Sequence, residues 1–502
     1  MSSPGYRDTE QRFTSRLGLL LSVLGIAVGT GNIWRFPRIA AQNGGDAGAG
    51  AFLIAWVIFL FAWSIPLIIA EYAIGRHGRK GVIGSFVEAA GPRFAWMGGF
   101  VAFVATAIMF YYSVVAGWCI FYFVTAASEP LPLTVEGATS VWEGFQAGGW
   151  PLLFHGAAMA AGVLVVLKGV SSIERVNKVL IPTLFTILLL CVARAVTLPG
   201  SGDGLVFLFT PQLDLLRQPS IWLEALTQNA WDTGAGWGLI LTYGAYMRRR
   251  HGIVKNAFIT GIGNNVVSLL AAIVIFGTVF AVLGQDMSRP EVLEVMKTSG
   301  PASTGLTFIW MPQLFARMPF GQPLAILFFL GLSFAAFSSL ISMIELATRV
   351  LVDAGLNRRR AVGVIGVAGF VFGVPSALYL DFLGNQDFVW GVALMISGAF
   401  VAAVVIKYGA DDFGRDLVSG GEADWTVGPV WTSVIRYAVP FQAVVLLSWW
   451  LYLSASTYAP ETWFDPTEPY SVMTCLLQWG GAAAVLVLLN DHLARGAHRA
   501  GG

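Results

Sequence analysis

The chain has 502 residues, of which 56% are apolar and only 12% charged, with a mean hydropathy of +0.70. Soluble domains carry about a quarter charged residues, so half that share cannot coat a water-soluble protein of this size, and the composition is that of an integral membrane protein. Thirty Lys and Arg against 29 Asp and Glu exclude the basic field of a nucleic-acid partner, while three cysteines (Cys119, Cys191, Cys475) and five scattered histidines exclude a disulfide framework and a zinc site.

The first sixteen residues, MSSPGYRDTEQRFTSR, are polar and run straight into a long apolar stretch, which argues against a cleavable signal. A bilayer-crossing helix needs about 20 apolar residues. Such spans are predicted near 17–41, 50–75, 94–126, 152–167, 176–197, 222–247, 257–284, 322–352, 361–380, 388–406, 432–455 and 472–490. The pattern describes an all-α protein of twelve transmembrane helices in a single domain. Its longest outer loops fall at 127–151, 198–221 and 286–321, the last rich in Pro and Gly and able to fold over an entrance. With the N-terminus inside, 23 of the 30 Lys and Arg lie on the cytoplasmic side and 7 on the other. A miscounted span would scramble that asymmetry, so both termini are predicted to be cytoplasmic. No Asn-x-Ser/Thr sequon occurs, which fits a bacterial inner (plasma) membrane.

Two spans carry glycine clusters: Gly25-Ile26-Ala27-Val28-Gly29-Thr30-Gly31-Asn32 in the first and Asp232-Thr233-Gly234-Ala235-Gly236-Trp237-Gly238 in the sixth. One cluster alone reads as close helix packing through small residues. Two of them, each opening a five-span half, point to an inverted-repeat transporter with its site at the bilayer midplane. The halves would be 17–197 and 222–406, followed by two additional helices at 432–490. Polar residues gather at the same depth: Asn32, Asp232, Asn264, Asn265, Ser268, Ser338 and Ser339. An intramembrane carboxylate marks a functional site by default, and hydroxyl, amide and carbonyl oxygens suit an alkali cation.

The segment from Arg16-Leu17-Gly18 through Gly29-Thr30-Gly31-Asn32-Ile33-Trp34-Arg35-Phe36-Pro37 to Asn43-Gly44-Gly45 resembles the signature of the neurotransmitter:sodium symporters. The likeness continues through Ile65-Pro66-Leu67, Glu71, Gly75-Arg76, Tyr111-Tyr112, Lys168-Gly169, Ile173-Glu174 and Thr242-Tyr243-Gly244-Ala245-Tyr246, nearly the whole chain in order. The resemblance implies a bacterial amino-acid carrier of the leucine-transporter-like fold with two sodium ions. One ion would be held by the carbonyls of Gly25, Val28 and Ala335 and the hydroxyls of Ser338 and Ser339. The other would be held by Ala27, Asn32, Asp232 and Asn264, with the substrate carboxylate. That carboxylate would meet the Thr30 and Gly31 amides and the Tyr112 hydroxyl, and the amine would meet the carbonyls of Ala27, Trp231 and Asp232. Ile108, Trp231, Trp237, Ser339 and Met343 would bound an apolar side chain. Monoamine carriers place an aspartate at the position of Gly29, so glycine there implies an amino acid. Arg35 with Asp387 would close the outer side, and Asp353 with Tyr246 the inner side, with Arg12 or Arg7 as the candidate arginine. Glu71 matches a structural carboxylate of the family.

Asp232 is the departure, since the family has Ser or Thr there. Gln228, Asn264 and Ser268 fit the pattern of chloride-dependent members, but Trp56 stands where a Tyr hydroxyl would complete it. Asp232 would supply the compensating charge so that chloride is not required, titrate and couple protons, or replace the carboxylate of a substrate that is not an α-amino acid. The remaining classes fit less well. No nucleophile–base pair or cofactor motif supports an enzyme, and no filter repeat or ring of charge supports a channel. A ligand sensor without net turnover stays as the competing reading. The chain would act in the lipid bilayer as a monomer or homodimer.

Overall fold

A computed structural model describes residues 11–297, 305–419 and 424–499. No strand occurs among the described residues. The first expected span is two helices, α1 (Arg16–Ala27) and α2 (Thr30–Gln42), bent by 48° at Val28 and Gly29. Next come α3 (Gly50–Gly78), α4 (Val82–Ala90), α5 (Ala95–Ser128), α6 (Val135–Ala147), α7 (Trp150–Leu167), α8 (Val170–Val196) and α9 (Ser201–Phe209). The sixth expected span is α10 (Pro219–Asp232) and α11 (Leu239–Ala245). Beyond it lie α12 (Val254–Leu283), α13 (Arg289–Lys297), α14 (Leu306–Ala316), α15 (Gly321–Asp353), α16 (Arg358–Leu378) and α17 (Leu380–Tyr408). The chain closes with α18 (Pro429–Tyr458), α19 (Val472–Leu488) and α20 (Asn490–Arg499).

Every predicted span therefore coincides with a helix or a helix pair. Nine helices among the described residues are long and apolar enough to cross a membrane, or up to eleven when each bent pair counts as one span. The sixth predicted span meets that criterion in neither half, because its pieces are only 14 and 7 residues long. The expected outer loops contain α6, α9, α13 and α14, while residues 298–304 of the last loop lie outside the described residues.

Local chemistry sets the ends of these helices. Ser15 caps α1 by accepting the Gly18 amide at 3.0 Å, and the Asn357 side chain caps α16 by accepting the Arg360 amide at 2.9 Å. The middle of the molecule is built on α5 and α15, which pack along one another and lose most of their surface to neighbours. Around them α1 lies against α8, α12 and α15, and α11 lies against α3. The outer helices expose the apolar side chains a lipid environment accepts, among them Val364, Val367 and Val371 on α16, Phe441 and Val444 on α18, and Leu477 and Val485 on α19.

Candidate functional site

The two helix breaks meet in the middle of the bundle, and each is made by backbone that only part of the sequence tolerates. Val28 and Gly29 are extended, which frees the end of α1 and the start of α2. The Asn32 side chain folds back to accept the Gly29 amide at 2.8 Å. A Cβ on Gly29 would lie 3.2 Å from the Tyr112 hydroxyl and 3.3 Å from that of Ser339, so the missing side chain keeps this spot open. In the second break Gly234, Gly236 and Gly238 all have positive φ, at 68°, 85° and 76°. Buried Glu71 holds that turn from α3. One carboxylate oxygen accepts the amides of Gly236 (2.6 Å) and Gly238 (3.2 Å), and the other accepts Leu241 at 3.0 Å. A carboxylate at the start of α11 also suits the helix dipole.

A cavity of about 840 Å³ reaches from the surface down to both breaks. Its wall includes every residue expected to touch substrate: Ala27, Gly29, Thr30, Gly31, Ile108, Tyr112, Trp231, Asp232, Trp237, Ser339 and Met343. At its floor the Thr30 amide and hydroxyl each lie 3.3 Å from the Tyr112 hydroxyl at the N-terminus of α2, a position that favours an anion. The Trp237 indole donates to the Ala230 carbonyl at 3.2 Å, which fixes its ring across the break.

Beside this floor several oxygens gather. With the Asn264 amide oxygen accepting from Asn32 Nδ2 at 2.8 Å, it faces the carbonyl oxygens of Ala27 at 2.9 Å and of Asp232 at 3.2 Å. With the amide reversed, its nitrogen donates to both carbonyls and lies 2.8 Å from Asn32 Nδ2. These amide and carbonyl oxygens are hard neutral groups of the kind an alkali cation takes. A second oxygen group lies between α1 and α15. The Ser339 hydroxyl donates to the carbonyls of Gly25 at 3.2 Å and Ile26 at 3.3 Å, and Ser338 donates to Ala335 at 3.0 Å. The Val28 amide closes α1 on Leu24 at 2.7 Å.

Asp232 is buried at the edge of the first group. Its Oδ2 accepts from Gln228 Nε2 at 2.5 Å and from the Ser268 hydroxyl at 3.4 Å, while Oδ1 has no hydrogen-bond partner. Oδ1 stands 3.2 Å from where a Cβ on Gly31 would be. The Trp56 indole, also buried, packs on Phe36 with ring centres 4.4 Å apart, and its N–H has no partner.

The two ends of the cavity differ. At the mouth Arg35 and Asp387 both line the wall without an ion pair, and the Arg35 guanidinium lies 4.6 Å from the centre of the Trp231 ring. The opposite end is closed by a buried polar network. Glu345 on α15 pairs with Arg358 at 2.5 Å and accepts the Tyr246 hydroxyl at 2.5 Å, and Arg358 also donates to the Val166 carbonyl at 2.7 Å. Asp353 pairs with Arg349 at 2.9 Å and accepts the Gly81 amide, and Arg349 lies over the Tyr246 ring at 5.5 Å. Sequence reasoning left the arginine partner of Asp353 open between Arg12 and Arg7, the latter outside the described residues; Asp353 forms an ion pair with Arg349, one turn back on the same helix. Glu345, Arg349 and Arg358 were missed. The signal for Glu345 was present, because it is a carboxylate inside an apolar span.

A helical membrane bundle with a deep cavity ending at two broken helices defines a transporter of small solutes. The chain belongs to the sodium:neurotransmitter symporter family, whose model matches residues 10–145 and 148–490. It is 29% identical over 458 residues to an uncharacterized sodium-dependent transporter of Bacillus subtilis, covering 87% of this chain and 96% of that one. It is 30% identical to the sodium-dependent serotonin transporter of Drosophila melanogaster, over 82% of this chain and 71% of that one. Among solved structures, MhsT in complex with L-phenylalanine matches with a TM-score of 0.75 and 29% identity, covering 87% of this chain and 99% of that one. The protein is thus a sodium-dependent membrane transporter and not an enzyme.

Proposed function

We propose that the protein carries a small amino acid with an apolar side chain into the cell, driven by two sodium ions and alternating access, and that chloride is not required. The observation behind the substrate class is the floor of the cavity. An anion-favouring helix N-terminus with the Tyr112 hydroxyl stands next to carbonyl oxygens that accept an amine, which is a receptor for a zwitterion. Gly29 supports an amino acid over a monoamine, because no carboxylate is supplied at that position. The sodium ions are assigned to the oxygen groups at Ala27, Asn32, Asp232 and Asn264 and at Gly25, Val28, Ala335, Ser338 and Ser339. The chain would cross the plasma membrane twelve times as two inverted repeats and two further helices, with both termini cytoplasmic. The network around Glu345 and Asp353 would then be the inner gate, and Arg35 with Asp387 the outer one.

Independence of chloride rests on Asp232. Gln228 and Ser268, the donors that would hold the anion, both turn to its Oδ2. A chloride about 4 Å from that carboxylate would cost roughly 4 kcal/mol at an effective dielectric near 20. The unpartnered Oδ1, close to the start of α2, favours a second reading in which Asp232 replaces the substrate carboxylate.

Proteoliposomes holding the purified protein test these readings with labelled amino acids and labelled amines. Accumulation of amino acids that collapses when sodium is equalised supports the proposal. Accumulation of amines alone supports the second reading, and saturable binding without accumulation would make the protein a sensor.

A further inference from the structure

Asn177 on α8 is a fully buried amide whose oxygen and nitrogen both lack a hydrogen-bond partner. It lies against Gly25 in the last turn of α1, just before the first helix break. A Cβ on Gly25 would lie 3.0 Å from Asn177 Oδ1 and 3.1 Å from Ser338 Cβ, so amide and serine flank the same backbone position. The carbonyl of that residue already receives the Ser339 hydroxyl at 3.2 Å. Three residues back along α1, Ser22 is also fully buried with an unpartnered hydroxyl. Gly18, Ser22 and Gly25 recur at helical spacing on one face of α1, and that face meets α8, since a Cβ on Gly18 would strike Glu174. Unsatisfied amides and hydroxyls inside a membrane protein are costly and are retained where they serve an ion or solute path.

We propose that the Asn177 amide oxygen, with the Ser22 hydroxyl, is a further sodium ligand on the α8 side of the Gly25–Ser338–Ser339 site, and that it sets the affinity and alkali-ion selectivity of that site. The proposal rests on the sodium-coupled reading above. Amide and hydroxyl oxygens are hard neutral ligands of the kind that an alkali cation takes. Asn177 neither lines the substrate cavity nor belongs to either gate, so its effect would fall on the ion.

The test is sodium-dependent thermal stabilisation of the purified full-length protein, with direct binding of labelled sodium and with lithium as the competing ion. Asn177→Leu keeps the volume and removes the ligand. The expected result is an unchanged or higher melting temperature without sodium, a sodium midpoint raised about tenfold, and a changed lithium-to-sodium ratio. Asn177→Ser, which restores an oxygen, is expected to fall between the two. A folded Leu variant with the unmodified midpoint and ion ratio overturns the proposal. Should the Leu variant not fold, Asn177→Ser and Asn177→Ala decide: equal sodium midpoints overturn the proposal, and a higher midpoint in Ala than in Ser supports it. An unmodified protein that sodium does not stabilise overturns the sodium-coupled reading itself, and this inference with it.

Discussion

Gly29 and Asp232 show how single residues decide what the cavity accepts. The space beside Gly29 is bounded by two hydroxyls at 3.2 and 3.3 Å, tight enough that even a methyl group must displace one of them. Gly29→Ala is therefore expected to raise KM for the transported amino acid about tenfold, equivalent to about 1.4 kcal/mol, with the sodium-free melting temperature little changed; initial uptake rates check this. Both residues were legible in the sequence, Gly29 through the motif around it and Asp232 as a carboxylate inside an apolar span. The direction of Gln228 and Ser268 toward Asp232 was not, because side-chain orientation across two helices is a product of packing.

Among the elements, the broken segment between α10 and α11 depends on a residue from another helix. Glu71 accepts three amides at a turn whose glycines leave no side chains to hold it. Glu71→Gln removes the charge and turns part of the acceptor into a donor. It is expected to lower stability by about 3 kcal/mol, read as a lower melting temperature in detergent; an unchanged melt would show that the turn holds itself. The glycine clusters announced both breaks. The second break, residues 233–238, falls inside the cluster Asp232–Gly238 that the sequence offered for it. The boundary of α8 was set too short because its polar first turn packs inside the protein, at Glu174, where composition suggests a loop.

For the whole molecule, on the alternating-access reading proposed above, the unequal ends imply an equilibrium biased toward access from the mouth. The mouth leaves Arg35 and Asp387 unpaired, whereas the opposite end buries the Glu345–Arg358 pair with the Tyr246 hydroxyl on the same carboxylate. Removing one partner of a buried pair costs about 3–5 kcal/mol, and here that loss falls on the closed arrangement. Glu345→Gln is expected to raise the rate at which a cysteine placed at buried Ser342 reacts with a thiol reagent from the Arg358 side. The native cysteines are all buried and leave that reporter clean. Glu345, Arg349 and Asp353 recur every fourth residue on α15 and were open to sequence reading, whereas Arg358 on α16 and the Tyr246 hydroxyl reach Glu345 only through packing between elements. The most direct measurement is steady-state uptake of labelled apolar amino acids into proteoliposomes under an inward sodium gradient, with gluconate replacing chloride on both sides. The predicted result is accumulation undiminished by the loss of chloride in the unmodified protein and restored to chloride dependence in Asp232→Ser. Accumulation that requires chloride in the unmodified protein, or that ignores the sodium gradient, would contradict it.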